Sequence, residues 1–290
     1  MGVIATRLTY GSLLVASVCA LFWLDRSVLP YLTSGAVLSL LALGAQAEFY
    51  KMLRDSGIAP ALGLGLLAGA YYLLTRLAPA LEWTWKQDSA APDPRAYFDA
   101  GAHLAAATVF LLVSGVLLRR TEGAAQRIGA TLLGLLVVPF LLGYAVEIRY
   151  LQPDGWAWLI FLVAVAKTGD SAAFFVGRAF GRHKLVVEVS PNKSWEGAVA
   201  SVAGSVAAGW LVAVTAFTTP PELALWLPAA VLTNVAAQFG DLGESLLKRA
   251  CKVKDSAPLI PVMGGLFDLV DSFLIAAPVL RLYLGLRQDV

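Results

Sequence analysis

Histidine is almost missing from this sequence: His103 and His183 are the only two among 290 residues. A histidine-ligated zinc or a Ser-His-Asp triad is therefore a poor fit. Cysteine is equally scarce, with Cys19 in an apolar run and Cys251 in a basic segment. Neither a disulfide framework nor a cysteine-based metal site follows. Charge is thin as well. Charged residues make up 14% of the chain and hydrophobic ones 58%, against roughly 25% charged in a soluble domain. With a mean hydropathy of +0.71, the composition describes an integral membrane protein. A net charge of +2 gives no argument for a nucleic-acid partner.

What is present is a series of apolar runs. A span needs about 20 mainly apolar residues, and nine stretches qualify: Leu8–Leu24, Tyr31–Ala47, Ile58–Leu77, Gly101–Leu118, Ile128–Val146, Trp156–Val176, Gly197–Phe217, Leu223–Gln238 and Leu266–Leu286. The expected fold class is all-α, a polytopic integral membrane helical bundle of about nine transmembrane helices. A barrel would show alternating strands of about 10 residues instead. Leu8–Leu24 is longer than a cleavable signal's apolar core and is read as the first span.

Loop charge gives an orientation. Counting Arg7, one side carries fifteen Lys/Arg, and the other has only Arg26, Lys86, Arg95 and Arg149. Excess Lys/Arg marks the cytoplasmic side. The expected location is the cell (inner) membrane, multi-pass, with the active site facing the cytoplasm. The loop Glu82–Asp99, with Trp83 and Trp85, reads as an exported interfacial loop. Residues 1–150 look like scaffold helices rich in small residues, with Glu48 and Lys51 as a helix-end pair. Residues 151–290 look like the catalytic region, with two cytoplasmic basic loops.

Two stretches carry the chemistry. In Lys167–Gly197, Lys167, Asp170 and Ser171 share a helix face. Ala173, Gly177 and Gly181 form a small-residue stripe for close helix contact. Arg178, Arg182, His183, Lys184 and Lys193 then make a cationic loop, with Ser190-Pro191 stopping one helix and Ser194-Trp195-Glu196-Gly197 starting the next. Basic side chains beside helix N-termini suit phosphate, although a loop touching lipid headgroups has the same charge. In Gln238–Ser272, Asp241, Glu244, Ser245 and Lys248 share a helix face. Asp268, Asp271 and Ser272 repeat that logic after a Gly264-Gly265 break. Carboxylates in apolar helices are costly unless paired, hydrated or bound to a cation. Two acidic faces can converge on Mg²⁺. Structural ion pairs at the interface are the plainer alternative.

At these residues the sequence resembles phosphatidate cytidylyltransferases, also called CDP-diacylglycerol synthases. The resemblance rests on G-D-L-G-E-S-L-L-K-R, then K-D-S, then G-G-x-x-D-x-x-D-S, with D-S-A-A-F-F-V-G-R-A-F-G-R and S-P-N-K-S-W-E-G before them. The chain departs from that family where Val262-Met263 precede Gly264-Gly265, at Leu269 between the last aspartates, and at Ala257 after K-D-S. The resemblance implies that CTP and phosphatidate give CDP-diacylglycerol and pyrophosphate. It implies Mg²⁺ on Asp241 and Asp268 with Asp271 in support, and Lys248 and Arg249 as catalytic cations. Asp170, Ser190, Lys193, Glu196, Glu244, Ser245, Lys254 and Asp255 would bind CTP or its metal. The partners expected are CTP, phosphatidate and bilayer lipid, with a homodimer left open. A CTP-dependent kinase of a membrane lipid alcohol and a cation or proton transporter are the competing readings.

Overall fold

The computed structural model describes residues 32–86, 100–117, 121–151, 153–257 and 264–287. The expected first span Leu8–Leu24, residues 87–99 of the expected exported loop, Val262 and Met263 lie outside the described residues. So do Arg7, Arg26, Arg95, Arg119 and Arg120 of the charge count. The elements in order are α1 (Leu32–Asp55), α2 (Leu62–Lys86), α3 (Ala100–Leu117), α4 (Ala124–Leu135), a π-helical turn (Leu136–Phe140) and α5 (Leu141–Arg149). There follow α6 (Gly155–Phe180), β1 (Lys184–Val186), β2 (Ser190–Ser194), α7 (Trp195–Thr215), α8 (Leu223–Ala250) and α9 (Leu266–Arg287).

The protein is a helical polytopic membrane protein with, among the described residues, one added β-hairpin. Among the described residues, six helices are long and apolar enough to cross a membrane, while Leu62–Ala78 and Gly101–Leu117 are apolar but shorter. Large apolar side chains such as Val116, Leu117, Phe175 and Leu286 are at least 70% exposed. Such a surface would drive association in water and suits contact with lipid. Pro139 sits inside the π-helical turn. Proline lacks the N–H that an α-helical ladder requires, and the wider turn absorbs the missing bond.

The fold divides into two compact units. One takes the described residues of Met1–Tyr150 together with Cys251–Val270; the other takes Leu151–Ala250 and Asp271–Val290. The first unit is tied together by polar contacts between helices inside an apolar bundle. Tyr50 lies in a slot where a Cβ on Gly134 or Gly65 would strike its ring. Its hydroxyl donates to the Thr131 carbonyl at 2.7 Å and accepts from Gln46 at 3.0 Å. Arg76, fully buried on α2, reaches Glu147 on α5 at 2.6 Å and Tyr72 at 2.6 Å.

In the second unit, α6 and α7 pack backbone to backbone. A Cβ on Gly197 would press on the Ala173 carbonyl at 2.9 Å, and one on Gly204 would press on Ala172 at 2.7 Å. The small residues of the α6 stripe thus do what their spacing implied. Further along, Asn234 on α8 donates to Ser201 at 2.8 Å and Ser205 at 2.7 Å on α7.

The buried Arg76–Glu147 pair generates a stability prediction. Removing one partner of a buried ion pair leaves an uncompensated charge and costs about 3–5 kcal/mol. Arg76→Met should therefore lower the melting temperature in detergent markedly, and the Arg76→Met/Glu147→Leu double variant should recover part of that loss. Melting curves of both against the wild type check it; equal loss in single and double variants would remove the pair from the ledger of the fold.

Candidate active site

The site grows from three carboxylates of the second unit, one from each of three apolar helices: Asp170 on α6, Asp241 on α8 and Asp271 on α9. Gly240 explains how two of them meet. A Cβ there would stand 2.5 Å from the Asp271 carbonyl oxygen, so only glycine lets α8 approach the α9 backbone this closely. The next residue, Asp241, is thereby a like-charge neighbour of both Asp271 and Asp170.

Two lysines compensate these carboxylates. Lys193, from β2, meets Asp241 Oδ2 at 3.1 Å. Lys167, one turn before Asp170 on α6, lies 3.8 Å from Asp170 and 3.9 Å from Asp271. It donates to the Ser272 hydroxyl at 2.8 Å and stands 4.7 Å over the Phe273 ring. In a low-dielectric setting such charges persist only with partners of this kind. The other oxygen of Asp241, Oδ1, is buried and has no hydrogen-bond partner among the described residues.

A cavity of about 570 Å³ opens beside Asp241. Asp170 and Asp241 line it together with Arg178, Lys184 and Lys193, and Ser190, Asn192, Ser194 and Gln238 add neutral donors and acceptors. Arg178 comes from α6, and Lys184 and Lys193 come from the hairpin. β1 and β2 pair antiparallel, Lys184 opposite Ser194 and Val186 opposite Ser190, with an irregular register between. Pro191 is tolerated because a two-stranded ribbon consists only of edges. Ser194 closes the hairpin and caps α7, accepting from the Gly197 N–H at 3.2 Å. The sequence places a helix start here correctly, but it gives only a loop where the hairpin stands.

Of the expected site residues, Asp170, Ser190, Lys193 and Asp241 meet at this cavity, and Asp271 adjoins them. Others are engaged elsewhere. Glu196 accepts from the His183 backbone N–H at 3.1 Å and faces its ring Nδ1 at 2.7 Å, which ties the hairpin base to α7. Glu244 is buried and paired with Lys248 at 2.7 Å. Ser245 and the exposed Arg249 do not line the cavity. Lys254, Asp255 and Asp268 belong to the first unit. There Asp268 Oδ2 accepts from the N–H groups of Ser256, at 2.9 Å, and Gly265, at 2.8 Å. Glu48 does not form the expected pair with Lys51; its carboxylate accepts instead from Ser256 and Phe267. Lys167, Lys184 and Arg178 are site residues that the sequence reading left out of its ligand set. The i, i+3 spacing of Lys167 and Asp170 was the available signal.

Among the described residues no group of three or more His, Cys, Asp or Glu is arranged to hold a metal ion. The donor chemistry still fits a hard cation. Mg²⁺ is usually held by one or two carboxylates plus substrate phosphates, and Asp241 offers a buried oxygen with no other partner.

Comparison with known proteins identifies relatives of this chain. The phosphatidate cytidylyltransferase of Brucella suis biovar 1 (strain 1330) is 38% identical over 198 residues, covering 60% of this chain and 71% of its own length. That of Bacillus subtilis (strain 168) is 32% identical over 199 residues, 67% of this chain and 74% of its own. Phosphatidate cytidylyltransferase 5, chloroplastic, of Arabidopsis thaliana is 32% identical over 188 residues, 57% of this chain and 47% of its own. The family model described as "Cytidylyltransferase family" matches residues 5–286, and the chain belongs to that family.

Proposed function

We propose that the chain condenses CTP with phosphatidate to give CDP-diacylglycerol and pyrophosphate. The observation that carries this reading is the cavity where Arg178, Lys184 and Lys193 stand with Asp170 and Asp241, one oxygen of Asp241 being unpartnered. Opposite charges side by side suit a polyanion that arrives with a divalent cation.

Phosphatidate supplies its own nucleophile. A phosphomonoester has its second pKa near 6, so an ionised phosphate oxygen attacks the α-phosphorus of CTP. The new P–O bond forms as the bond from that phosphorus to the α–β bridging oxygen breaks. The electron pair leaves with pyrophosphate. No protein nucleophile or strong general base is needed, in keeping with the scarcity of His and Cys. The chain's task is to neutralise and align two polyanions. Arg178 brings fork geometry to a phosphate, and Lys184 and Lys193 act as point charges.

Mg²⁺, when bound, would stabilise charge on the leaving pyrophosphate. Asp241 and Asp271 are its proposed holders, and Asp268 keeps that assignment on the sequence pattern alone. Ser190 and Asn192 are proposed to orient the phosphates. Arg249, Lys252 and Lys254 are assigned to the approach of CTP from the cytoplasm. The full proposal has residues 1–150 as scaffold, residues 151–290 as the catalytic region, and about nine spans in the inner membrane. Acyl chains stay in the bilayer. The excess of Lys/Arg on one side supports the orientation.

Two measurements test this. Incubated with labelled CTP, Mg²⁺ and phosphatidate, the purified protein should form CDP-diacylglycerol and release pyrophosphate; release of CDP instead would sink the assignment in favour of a kinase. In folded protein, Asp241→Asn should reduce turnover by roughly 100-fold or more. Lys193→Ala should raise the KM for CTP or lower kcat/KM by roughly 10- to 100-fold, the worth of one charged phosphate contact. Wild-type kinetics in Lys193→Ala would remove the cavity from substrate binding.

A further inference from the structure

The start of α9 lacks a cap of its own. Gly265 precedes Leu266, the first helical residue, and a glycine has no side chain to accept from the helix's free N–H groups. Two carboxylates fill the gap. Asp268, in the first turn, reaches back to the Gly265 N–H at 2.8 Å, the return half of a capping box. The other half comes from far away in sequence: Glu48 on α1 accepts from the Phe267 N–H at 2.9 Å.

The same two carboxylates hold Ser256. Its hydroxyl lies 2.6 Å from Asp268 Oδ2 and 3.0 Å from Glu48 Oε2, so one hydroxyl proton stands between both acceptors. The glycines make room for this arrangement. Gly264 adopts φ +89, and a Cβ there would press on the Asp268 carboxylate at 2.5 Å. A Cβ on Gly265 would run into Glu48 Oε2 and Ser256 Oγ. Packing keeps Glu48 in place. Phe49 meets Phe267 with ring centroids 5.3 Å apart, and a Cβ on Gly44 would run into Leu266. The Gly-Gly break is thus shaped to admit a carboxylate from the amino-terminal part of the chain.

We infer that Glu48 is a positioning residue for the transfer reaction: it supplies the missing cap of α9 and holds Ser256 and Asp268 in one fixed arrangement. This rests on the cytidylyltransferase reading of the site. Asp271, a proposed metal holder, follows Asp268 by three residues on the same continuous helix, and a helix start free to fray would loosen the turn that leads into it. Supporting partners of metal-binding carboxylates are typically worth 10- to 100-fold in affinity or activity.

The test uses the full chain in detergent with Glu48→Ala, Glu48→Asp and Glu48→Gln. Three readouts are taken: kcat and KM for both substrates, the melting temperature, and hydrogen–deuterium exchange of peptides covering 264–272. Glu48→Ala and Glu48→Asp, which lack or shorten the reach, should lower kcat roughly 10- to 100-fold with little change in KM for CTP. Exchange should rise at 264–272 and stay unchanged in α8. Glu48→Gln keeps an acceptor oxygen and should restore most of both. If Glu48→Ala fails to fold, Glu48→Asp decides. Wild-type kcat in a folded Ala or Asp variant, or a Gln variant as impaired as Ala, overturns the inference. A wild-type protein that makes no CDP-diacylglycerol overturns the reaction reading instead, and the exchange data then still report whether Glu48 caps α9.

Discussion

A carboxylate on an apolar helix is tolerated only where something positive or wet stands beside it, and the second unit is organised around that demand. Asp170, Asp241 and Asp271 come from three helices, and each would be expensive alone in lipid. Lys167 sits between Asp170 and Asp271, and Lys193 meets Asp241. Asp241 Oδ1 is left buried with no hydrogen-bond partner among the described residues. Charge of this kind invites a cation.

Glycine sets how closely the pieces approach. Gly240 lets α8 come against the α9 backbone beside Asp271, Gly197 and Gly204 let α7 lie on α6, and Gly264 and Gly265 admit two carboxylates to a helix start. In water such close packing competes with burial of larger side chains. In lipid, where Leu against a helix gains no more than Leu against an acyl chain, close backbone approach and polar contacts carry more of the association. The Ser201–Ser205–Asn234 and Gln46–Tyr50–Thr131 contacts are examples, each joining helices through hydrogen bonds inside the bundle.

Much of this was legible in the residues. Apolar runs of span length lead to helices because backbone groups in lipid have no other way to be satisfied. The Ala173-Gly177-Gly181 stripe was readable as a packing face, Ser194 as a helix start, and Asp170, Lys193 and Asp241 as members of one site. What misled was locality. Glu48 and Lys51 look like natural partners by spacing, yet Glu48 bonds residues more than 200 positions away, and Glu196 bonds His183 at the base of the hairpin. The hairpin itself was hidden because five residues reading Ser-Pro-Asn-Lys-Ser have no strand propensity; their pairing with β1 and the adjoining caps make the strand.

The order and polarity of segments thus determined the helical membrane architecture and which stretches carry clustered charge, since hydropathy and charge act locally and survive without knowledge of the fold. Tertiary structure alone decided which charges face one another. Lys193 rather than Lys248 meets Asp241, Lys248 being held by Glu244, and a glutamate from the first described helix completes the last one. The reason is that ion pairs and caps depend on distances of a few ångströms between helices, which close glycine contacts set and no spacing along the chain encodes.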